Sequence, residues 1–242
     1  MATAPTLFIS DLHLSRDRPA LVEALHALIA GPARGATALY VIGDLFDAWL
    51  GDDQLREPLP AGVAHALAAL AASGTKIYLQ RGNRDFLLGE RFARAAGATL
   101  LPDAAVHDVH GTPTLIMHGD ALCTDDVGYQ RFRAYWQDPV HRSRLLALPY
   151  FARRGIAALL RATSRRAIAT KAEAIMDVNA DAVADALRAH GVSRLIHGHT
   201  HRPARHELTV DGVACERYVL ADWYSRASYL RVDEEAVTAC SL

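Results

Sequence analysis

Five short clusters of Asp, His and Asn residues most constrain the fold of this chain, because each follows a run of residues typical of a buried strand. The runs before the first three clusters are residues 6–10, 39–42 and 76–80. In chain order, the clusters are DLH from residue 11, GDLFD from residue 43, GNRD from residue 82, HGD from residue 118 and HGHTH from residue 197. Strand ends in an α/β sheet place ligand-binding side chains at one edge, so the shared position predicts a single site.

The residue types in these clusters indicate metal ligands. At an extended strand end, Asp11 and His13 can both reach one ion after a small bend of the chain, and His199 and His201 can address two neighbouring ions. Singly, such clusters are typical of turns or of hydrogen-bonded histidines. Five of them in this order are far less easily explained in that way. Mixed imidazole, carboxylate and amide ligands suit Mn, Fe or Zn better than Ca.

The rest of the sequence has the mixture of strands and helices expected of a layered α/β protein. Further strand-like runs are residues 106–109, 114–117, 194–196, 217–220 and 228–232, and helical segments are residues 19–30, 62–72 and 179–190, the last ending at Gly191. Residues 126–171 differ, because they have helical periodicity and no strand-like run. We therefore expect a core of residues 1–125 and 172–242, interrupted by an inserted helical cap at residues 126–171.

Composition excludes a disordered chain and a membrane-spanning helix. Of the 242 residues, 51% are hydrophobic, and no uninterrupted apolar stretch reaches about 18 residues. We expect no secretory signal, because residues 1–5 are followed directly by the first strand and cluster. Cys123, Cys215 and Cys240 form no CxxC pair, so we expect reduced thiols in a cytosolic protein.

The net charge of −1 conceals two different regions. Residues 129–171 contain ten basic residues and one acidic residue, a formal charge of +9, whereas the remaining chain has 16 basic and 26 acidic residues. Residues 145–160 are apolar but are interrupted by Pro149, Arg153, Arg154 and Gly155. Composition alone leaves open a solvated helical pair, a helix on an anionic membrane surface, and a nucleic-acid partner.

With these motifs, the sequence resembles the calcineurin-like metallophosphoesterase superfamily, whose signature runs DxH, GDxxD, GNxD, HGD and GHxH. The resemblance implies an α/β fold with a four-layer αββα β-sandwich core, an inserted helical cap and a two-metal site. The first implied metal set is Asp11, His13, Asp44 and His201. The second is Asp44, Asn83, His118 and His199, with Asp44 bridging. The implied catalytic residues are Asp44, Asn83, Arg84 and His118.

In such a site, two divalent ions roughly 3.5–4 Å apart activate water and neutralise charge on a phosphoryl group. Asp47, Asp85 and Asp120 can either orient the ligating histidines or cap turns, and the sequence leaves both interpretations open. Arg84 stands where many members of the superfamily have His. Arginine cannot act as a general acid near neutral pH but can pair with phosphate oxygens. This position favours a diphosphate substrate over alkyl phosphomonoesters.

Longer stretches resemble one branch of the superfamily, the hydrolases that cleave a UDP-linked diacylated glucosamine in lipid A synthesis. These stretches are residues 8–14, 43–53, 82–89, 116–129, 174–179 and 195–203. The resemblance implies two Mn²⁺ ions and attack of water on the α-phosphorus, which releases UMP. The implied substrate contacts are Asn83, Arg84, Asp126, Tyr129, Arg161, Ser164, Ile168, Lys171 and His199. Residues 165–170 depart from the more polar run of that branch, and this departure includes Ile168.

The lipid substrate implied by this resemblance favours the membrane interpretation of the cap. We expect a monomer, peripheral on the cytoplasmic face of the inner membrane, with no nucleic-acid partner. A phosphodiesterase or nuclease with the same metal site is the alternative enzyme. A nonhydrolytic scaffold is the alternative from another class, and it predicts the loss of at least one ligand. None of the ligands is missing from this sequence.

Overall fold

A computed structural model describes residues 3–168, 177–224 and 226–242, and of residues 160–168 it describes only the helical backbone. The strands are β1 (Thr6–Ile9), β2 (Ala38–Ile42), β3 (Lys76–Gln80), β4 (Thr99–Leu100), β5 (Ala104–Val109), β6 (Thr112–Met117), β7 (Arg194–His197), β8 (Ala204–Val210), β9 (Val213–Val219), β10 (Ser228–Val232) and β11 (Val237–Ser241). The α-helices are α1 (Pro19–Ala30), α2 (Pro58–Ala72), α3 (Glu90–Ala95), α4 (Val127–Gln137), α5 (Pro139–Ala147), α6 (Tyr150–Ile168) and α7 (Ala180–His190).

The strands form two sheets. The first has the order β11-β10-β1-β2-β3-β4, in which β1 to β4 are parallel and β10 and β11 are antiparallel additions. The second has the order β5-β6-β7-β9-β8, in which β6, β7 and β9 are parallel. The α/β sandwich predicted from the sequence is therefore confirmed.

The layers form because side chains along the central strands point alternately to the two faces of each sheet. Because successive side chains of a strand point to opposite faces, Phe8 enters the core between the sheets while Leu7 and Ile9 face α1, α2 and α3. On the second sheet, Ile116 enters the same inter-sheet core, while Leu115 packs with α7. Both faces of the central strands are covered in this way, which explains why these strands are continuous apolar runs in the sequence.

Local signals set most helix ends. Proline occupies the first turn of α1, α2 and α5, where its missing N–H is not needed. The prediction of a helix over residues 62–72 began too late, because α2 already starts at Pro58. Asn179 caps α7 by accepting bonds from two backbone amides, and Gly191 ends it with a φ of 64°, as predicted.

Residues 127–168 contain the three helices α4, α5 and α6, as their periodicity predicts, and their assignment to a separate domain stays a prediction. Leu145, Trp136 and Ile156 pack against the core cluster that covers the first sheet. Among the described residues, no helix is both long and apolar enough to cross a membrane. The three cysteines are thiols, as predicted.

Arg153 of α6 departs from the expectation that the arginines of this segment face water or lipid, because it is only 5% exposed. Its guanidinium donates to the carbonyl of Leu50 and to both carboxylate oxygens of Asp53, and its Nε donates to the carbonyl of Leu148 at 3.0 Å. Gly51, with a φ of 133°, leaves room for this side chain, since a Cβ there would collide with the guanidinium. Arg153 thus fastens α6 to the loop that follows β2.

Candidate metal centre

The structure brings the seven predicted metal ligands together beyond the carboxyl ends of five strands. They follow β1, β2, β3, β6 and β7, which belong to both sheets. The seven residues are Asp11, His13, Asp44, Asn83, His118, His199 and His201. Parallel strands β1, β2 and β3 deliver their loops to one edge, and β6 and β7 deliver theirs from the facing sheet.

Asp11, His13 and His201 form one group, in which the potential ligand atoms all lie within 4.8 Å of one another. His201 Nε2 is 3.2 Å and His13 Nε2 is 3.9 Å from the same oxygen of Asp11. The other Asp11 oxygen accepts the backbone N–H of His199 at 2.9 Å, which fixes the carboxylate.

The second group is built around Asn83, whose side-chain oxygen lies 3.1 Å from His118 Nε2 and 2.9 Å from His199 Nδ1. Asp44 lies between the two groups. One of its oxygens is 3.8 Å from His13 Nδ1, and the other is 3.9 Å from His118 Nε2. Asp11, Asp44 and His118 also place ligand atoms within 4.8 Å of one another. A carboxylate in the position of Asp44 can contact ions in both groups.

The donor atoms of His13 fit a metal ion better than they fit the protein around them. His13 is only 2% exposed, yet neither ring nitrogen has a hydrogen-bond partner. Buried polar atoms are normally paired, because leaving them unpaired costs free energy. Burial lowers the pKa of His13 to about 3 and that of His199 to about 4. Both rings are therefore neutral near pH 7 and can donate a lone pair to a cation.

The pKa values of Asp44 and His118 are both raised. Burial raises the pKa of Asp44 to about 8. Burial also acts to lower the pKa of His118, but the carboxylates of Asp44, Asp11 and Asp120 outweigh it and raise that pKa to about 9. Ligands must lose their protons before they bind a metal, so a cation in this cluster would compete with protons.

The backbone is strained at five of the seven predicted ligands, which have positive φ angles between 47° and 68°. They are Asp11, His13, Asp44, His199 and His201. The other described non-glycine residues with positive φ, His110 and Asp211, each precede glycine in a two-residue hairpin loop, where this conformation is expected. A left-handed non-glycine residue costs about 1–3 kcal/mol, and such strain typically clusters at functional sites.

Gly43 lets the loops after β2 and β6 approach each other. Its φ is 90°, and a Cβ at this position would collide with the ring of His118 and lie 2.9 Å from the Cα of Gly82. His118 itself is oriented by the backbone, since its Nδ1 lies 3.0 Å from the carbonyl oxygen of Ile42. With Nδ1–H donated to that carbonyl, Nε2 faces Asp44 and Asn83 as a potential ligand atom.

Asp85 holds two of the ligand loops together. Its buried carboxylate accepts backbone N–H groups from Gly82 at 2.7 Å, Leu45 at 2.8 Å and Asp44 at 3.2 Å. These contacts correspond to the capping interpretation of Asp85, since the partners are backbone amides. The GDLFD and GNRD loops thereby share one anchor.

Asp120 joins the site to the first helix of the cap. Its carboxylate accepts the hydroxyl of Tyr129 at 2.7 Å and Nε of Arg133 at 2.8 Å, both from α4. Asp120 therefore positions α4 beside the cluster of predicted metal ligands.

Asp47 donates its backbone N–H to the carbonyl oxygen of Leu14 at 3.2 Å.

Arg84 is tied to the cluster through its backbone. Its N–H donates to a carboxylate oxygen of Asp44 at 2.7 Å, and its carbonyl accepts the N–H of Trp49 at 3.1 Å. This arrangement keeps the half-buried Arg84 next to a predicted bridging ligand.

The structure places two predicted substrate contacts of the cap at the start of α4. Asp126 caps this helix by accepting the backbone N–H of Tyr129 at 3.0 Å. The Tyr129 ring stacks on the ring of His199 with centroids 6.1 Å apart. The side chains of the predicted contacts Arg161, Ser164 and Ile168 lie outside the described residues, and so does the whole of Lys171.

Asp222 is a residue of the site that the sequence motifs did not indicate. Its carboxylate oxygen lies 2.9 Å from Nδ1 of His201, so the other nitrogen of that ring faces Asp11. Asp222 follows β9 by three residues. The same strand-end position that identified the five clusters could have identified it, but no motif surrounds it.

Comparison with known proteins places these motifs in a wider group. The family model "Calcineurin-like phosphoesterase" matches residues 4–203, a range that contains all seven clustered residues. A protein of Escherichia fergusonii named UDP-2,3-diacylglucosamine hydrolase is 50% identical over 232 residues, which is 96% of each chain. A protein of the same name from Enterobacter sp. strain 638 has the same identity and coverage. A solved archaeal phosphodiesterase is 11% identical, with a TM-score of 0.49 and coverage of 98% of this chain and 99% of its own.

Proposed function

The chain belongs to the calcineurin-like phosphoesterase family, and we propose that it hydrolyses the diphosphate bond of UDP-2,3-diacylglucosamine in lipid A synthesis. The products are UMP and 2,3-diacylglucosamine 1-phosphate. Relatives that carry this activity in their name are half identical to the chain over almost its whole length, which supports the substrate. The observation that carries the chemistry is the seven-residue cluster with the unpartnered nitrogens of His13.

We assign two Mn²⁺ ions to this cluster. Asp11, His13, Asp44 and His201 would hold one ion, and Asp44, Asn83, His118 and His199 would hold the other. When bound, such ions acidify water and neutralise the charge of the phosphoryl oxygens. The neutral rings of His13 and His199 and the central position of Asp44 support this assignment.

The side chains of the site then act on the diphosphate directly. Arg84 pairs with phosphate oxygens and stabilises their charge in the transition state, because guanidinium is a bidentate donor and does not release a proton. No proton donor is needed for the leaving group when water attacks the α-phosphorus, since that group departs as a phosphate ester anion. Asn83 and His118 keep their places through the contacts with His199 and Ile42.

The cap binds the lipid part of the substrate in this proposal. The proposed contacts of the whole substrate are Asp126, Tyr129, Arg161, Ser164, Ile168 and Lys171 of the cap, together with Asn83, Arg84 and His199 of the core. The support is the stacking of Tyr129 on His199, which brings the cap next to the proposed metal ligands.

We further propose that the protein acts as a monomer on the cytoplasmic face of the inner membrane, with the cap on the lipid surface. Phe151 of α6 is 77% exposed, Leu159 of the same helix is exposed, and so are Arg154 of α6 and Arg144 of α5. Apolar groups next to arginines suit an anionic bilayer surface. We expect the protein to bind anionic vesicles more strongly than DNA. We also expect Phe151→Ser to weaken its binding to the vesicles. Preference for DNA favours the nuclease alternative.

Product analysis in H₂¹⁸O tests the reaction. With Mn²⁺ present, wild-type protein is expected to release UMP that carries the ¹⁸O label, together with unlabelled lipid 1-phosphate. Asp44→Asn is the matched control and is expected to release neither. Formation of UDP, or label in the lipid phosphate, contradicts attack at the α-phosphorus.

A further inference from the structure

Two aromatic rings lie at different ends of the proposed metal cluster, and only one of them belongs to the cap. Tyr129 of α4 stacks on His199. Tyr224, which follows β9, stacks on His13 with ring centroids 5.0 Å apart and planes inclined by 8°. His13 and His199 belong to different proposed metal sets, so the two tyrosines mark opposite ends of the cluster.

At the end marked by Tyr224, the exposed group is a guanidinium that lies on the tyrosine ring. Tyr224 is 47% exposed although its ring lies against a fully buried histidine. The guanidinium of Arg18 lies over the Tyr224 ring, with its carbon 4.4 Å from the ring centroid. Arg18 precedes α1 and is itself exposed. An aromatic ring and a guanidinium plane are the two protein groups on which unstacked nucleic acid bases most commonly stack.

We infer that Tyr224 and Arg18 form the binding site for the pyrimidine nucleoside of the substrate. The inference rests on the proposed function, because it needs a substrate whose diphosphate separates a nucleoside from a lipid sugar. If the cap end takes the lipid sugar and the diphosphate crosses the metal cluster, the nucleoside lies at the end marked by Tyr224. Neither residue belongs to the sequence motifs, and neither was among the predicted substrate contacts.

A purely structural role for Tyr224, shielding His13, is the competing explanation. The two roles differ in what the loss of the ring changes. A shield supports every ligand of the metal cluster equally, whereas a stacking surface affects only ligands that carry a base. UMP and ribose 5-phosphate share a phosphate on a ribose but differ in the base, so they separate the two roles.

The test is titration calorimetry of both phosphates, in the presence of Mn²⁺, on wild-type protein and on Tyr224→Ala, Tyr224→Phe, Arg18→Ala and Arg16→Ala. Wild-type protein is expected to bind UMP more tightly than ribose 5-phosphate. Tyr224→Ala should weaken UMP binding roughly 5- to 160-fold, the range for the loss of a base-stacking ring, and leave the binding of ribose 5-phosphate unchanged. Tyr224→Phe keeps the ring and should stay close to wild type. Arg18→Ala should weaken UMP binding alone, and Arg16→Ala, an exposed neighbour paired with Glu57, should weaken neither.

Equal loss of both ligands in Tyr224→Ala, or no loss of UMP binding, overturns the inference. Failure of the proposed function is a separate result. If UMP binding depends on Tyr224 but UDP-2,3-diacylglucosamine is not hydrolysed, the nucleoside site stands and the lipid substrate falls. If the lipid substrate is hydrolysed but UMP binds no better than ribose 5-phosphate, the nucleoside site falls alone.

Discussion

Arg153 fastens the cap to the loop after β2. We therefore predict that replacing Arg153 with methionine lowers the free energy of unfolding by a defined amount. The side chain is 5% exposed and spans three groups: the carbonyls of Leu50 and Leu148 and the carboxylate of Asp53. Methionine retains most of the apolar packing and removes the charge and its donors. The change therefore isolates the polar attachment.

The size of this loss follows from the exposure of the partners. Removing one partner of a fully buried ion pair costs about 3–5 kcal/mol. The Asp53 side chain is 30% exposed, so water replaces part of what it loses. We expect Arg153→Met to lower the free energy of unfolding by about 2–3 kcal/mol. For a chain of this size, each kcal/mol shifts Tm by about 2–4 °C, so the expected shift is about 4–12 °C.

Urea unfolding of a double-mutant cycle with Asp53→Asn measures the attachment directly. The two changes should be non-additive by at least about 1 kcal/mol, because both remove the same ion pair. Arg154→Met is the matched control, since Arg154 is the exposed neighbour of Arg153 and should change stability by no more than about 0.5 kcal/mol. Additive effects, or an Arg153→Met variant as stable as wild type, would refute the attachment derived from the contacts.

Three further predictions concern the metal cluster. Asp222→Ala removes the carboxylate beside His201 Nδ1 and should weaken Mn²⁺ binding about 10- to 100-fold in calorimetry, whereas unchanged affinity would show that Asp222 does not orient the ring. Asp44→Ala should abolish metal-dependent UMP release while circular dichroism stays that of a folded protein, and retained activity is incompatible with the proposed ligand set. Gly43→Ala should lower both stability and Mn²⁺ affinity, because its Cβ collides with His118, and a variant equal to wild type in both measurements would contradict the packing of these loops.

Much of the fold could be predicted because its signals are local. Residues 76–80 and 228–232 are strands with the predicted bounds, and α1 begins at the proline that marks its first turn. The order of strands could not be predicted, because β1 pairs with β10 more than 200 residues further along the chain. Such pairing depends on which apolar faces meet after the layers assemble.

The candidate site also has some residues that the sequence predicts and others that it does not. Its seven clustered residues belong to short motifs, so the sequence predicts them as a set, and the structure brings them together. Asp222 and Tyr224 carry no motif and reach the cluster only because β9 ends next to β7. The burial of Arg153 was not predicted either, since its neighbour Arg154 has the same charge and is exposed. Which of two adjacent arginines finds a carboxylate depends on how α6 lies on the core.

The steady-state rate of hydrolysis with Mn²⁺ tests the central claim most directly. UMP release is measured on UDP-2,3-diacylglucosamine and on UDP-glucose. Nitrophenol release is measured on bis(p-nitrophenyl) phosphate as the third substrate. The proposed function predicts the highest kcat/KM for the diacylated substrate, because only that substrate engages the cap as well as the metal cluster. Equal kcat/KM values for all three substrates would contradict the claim.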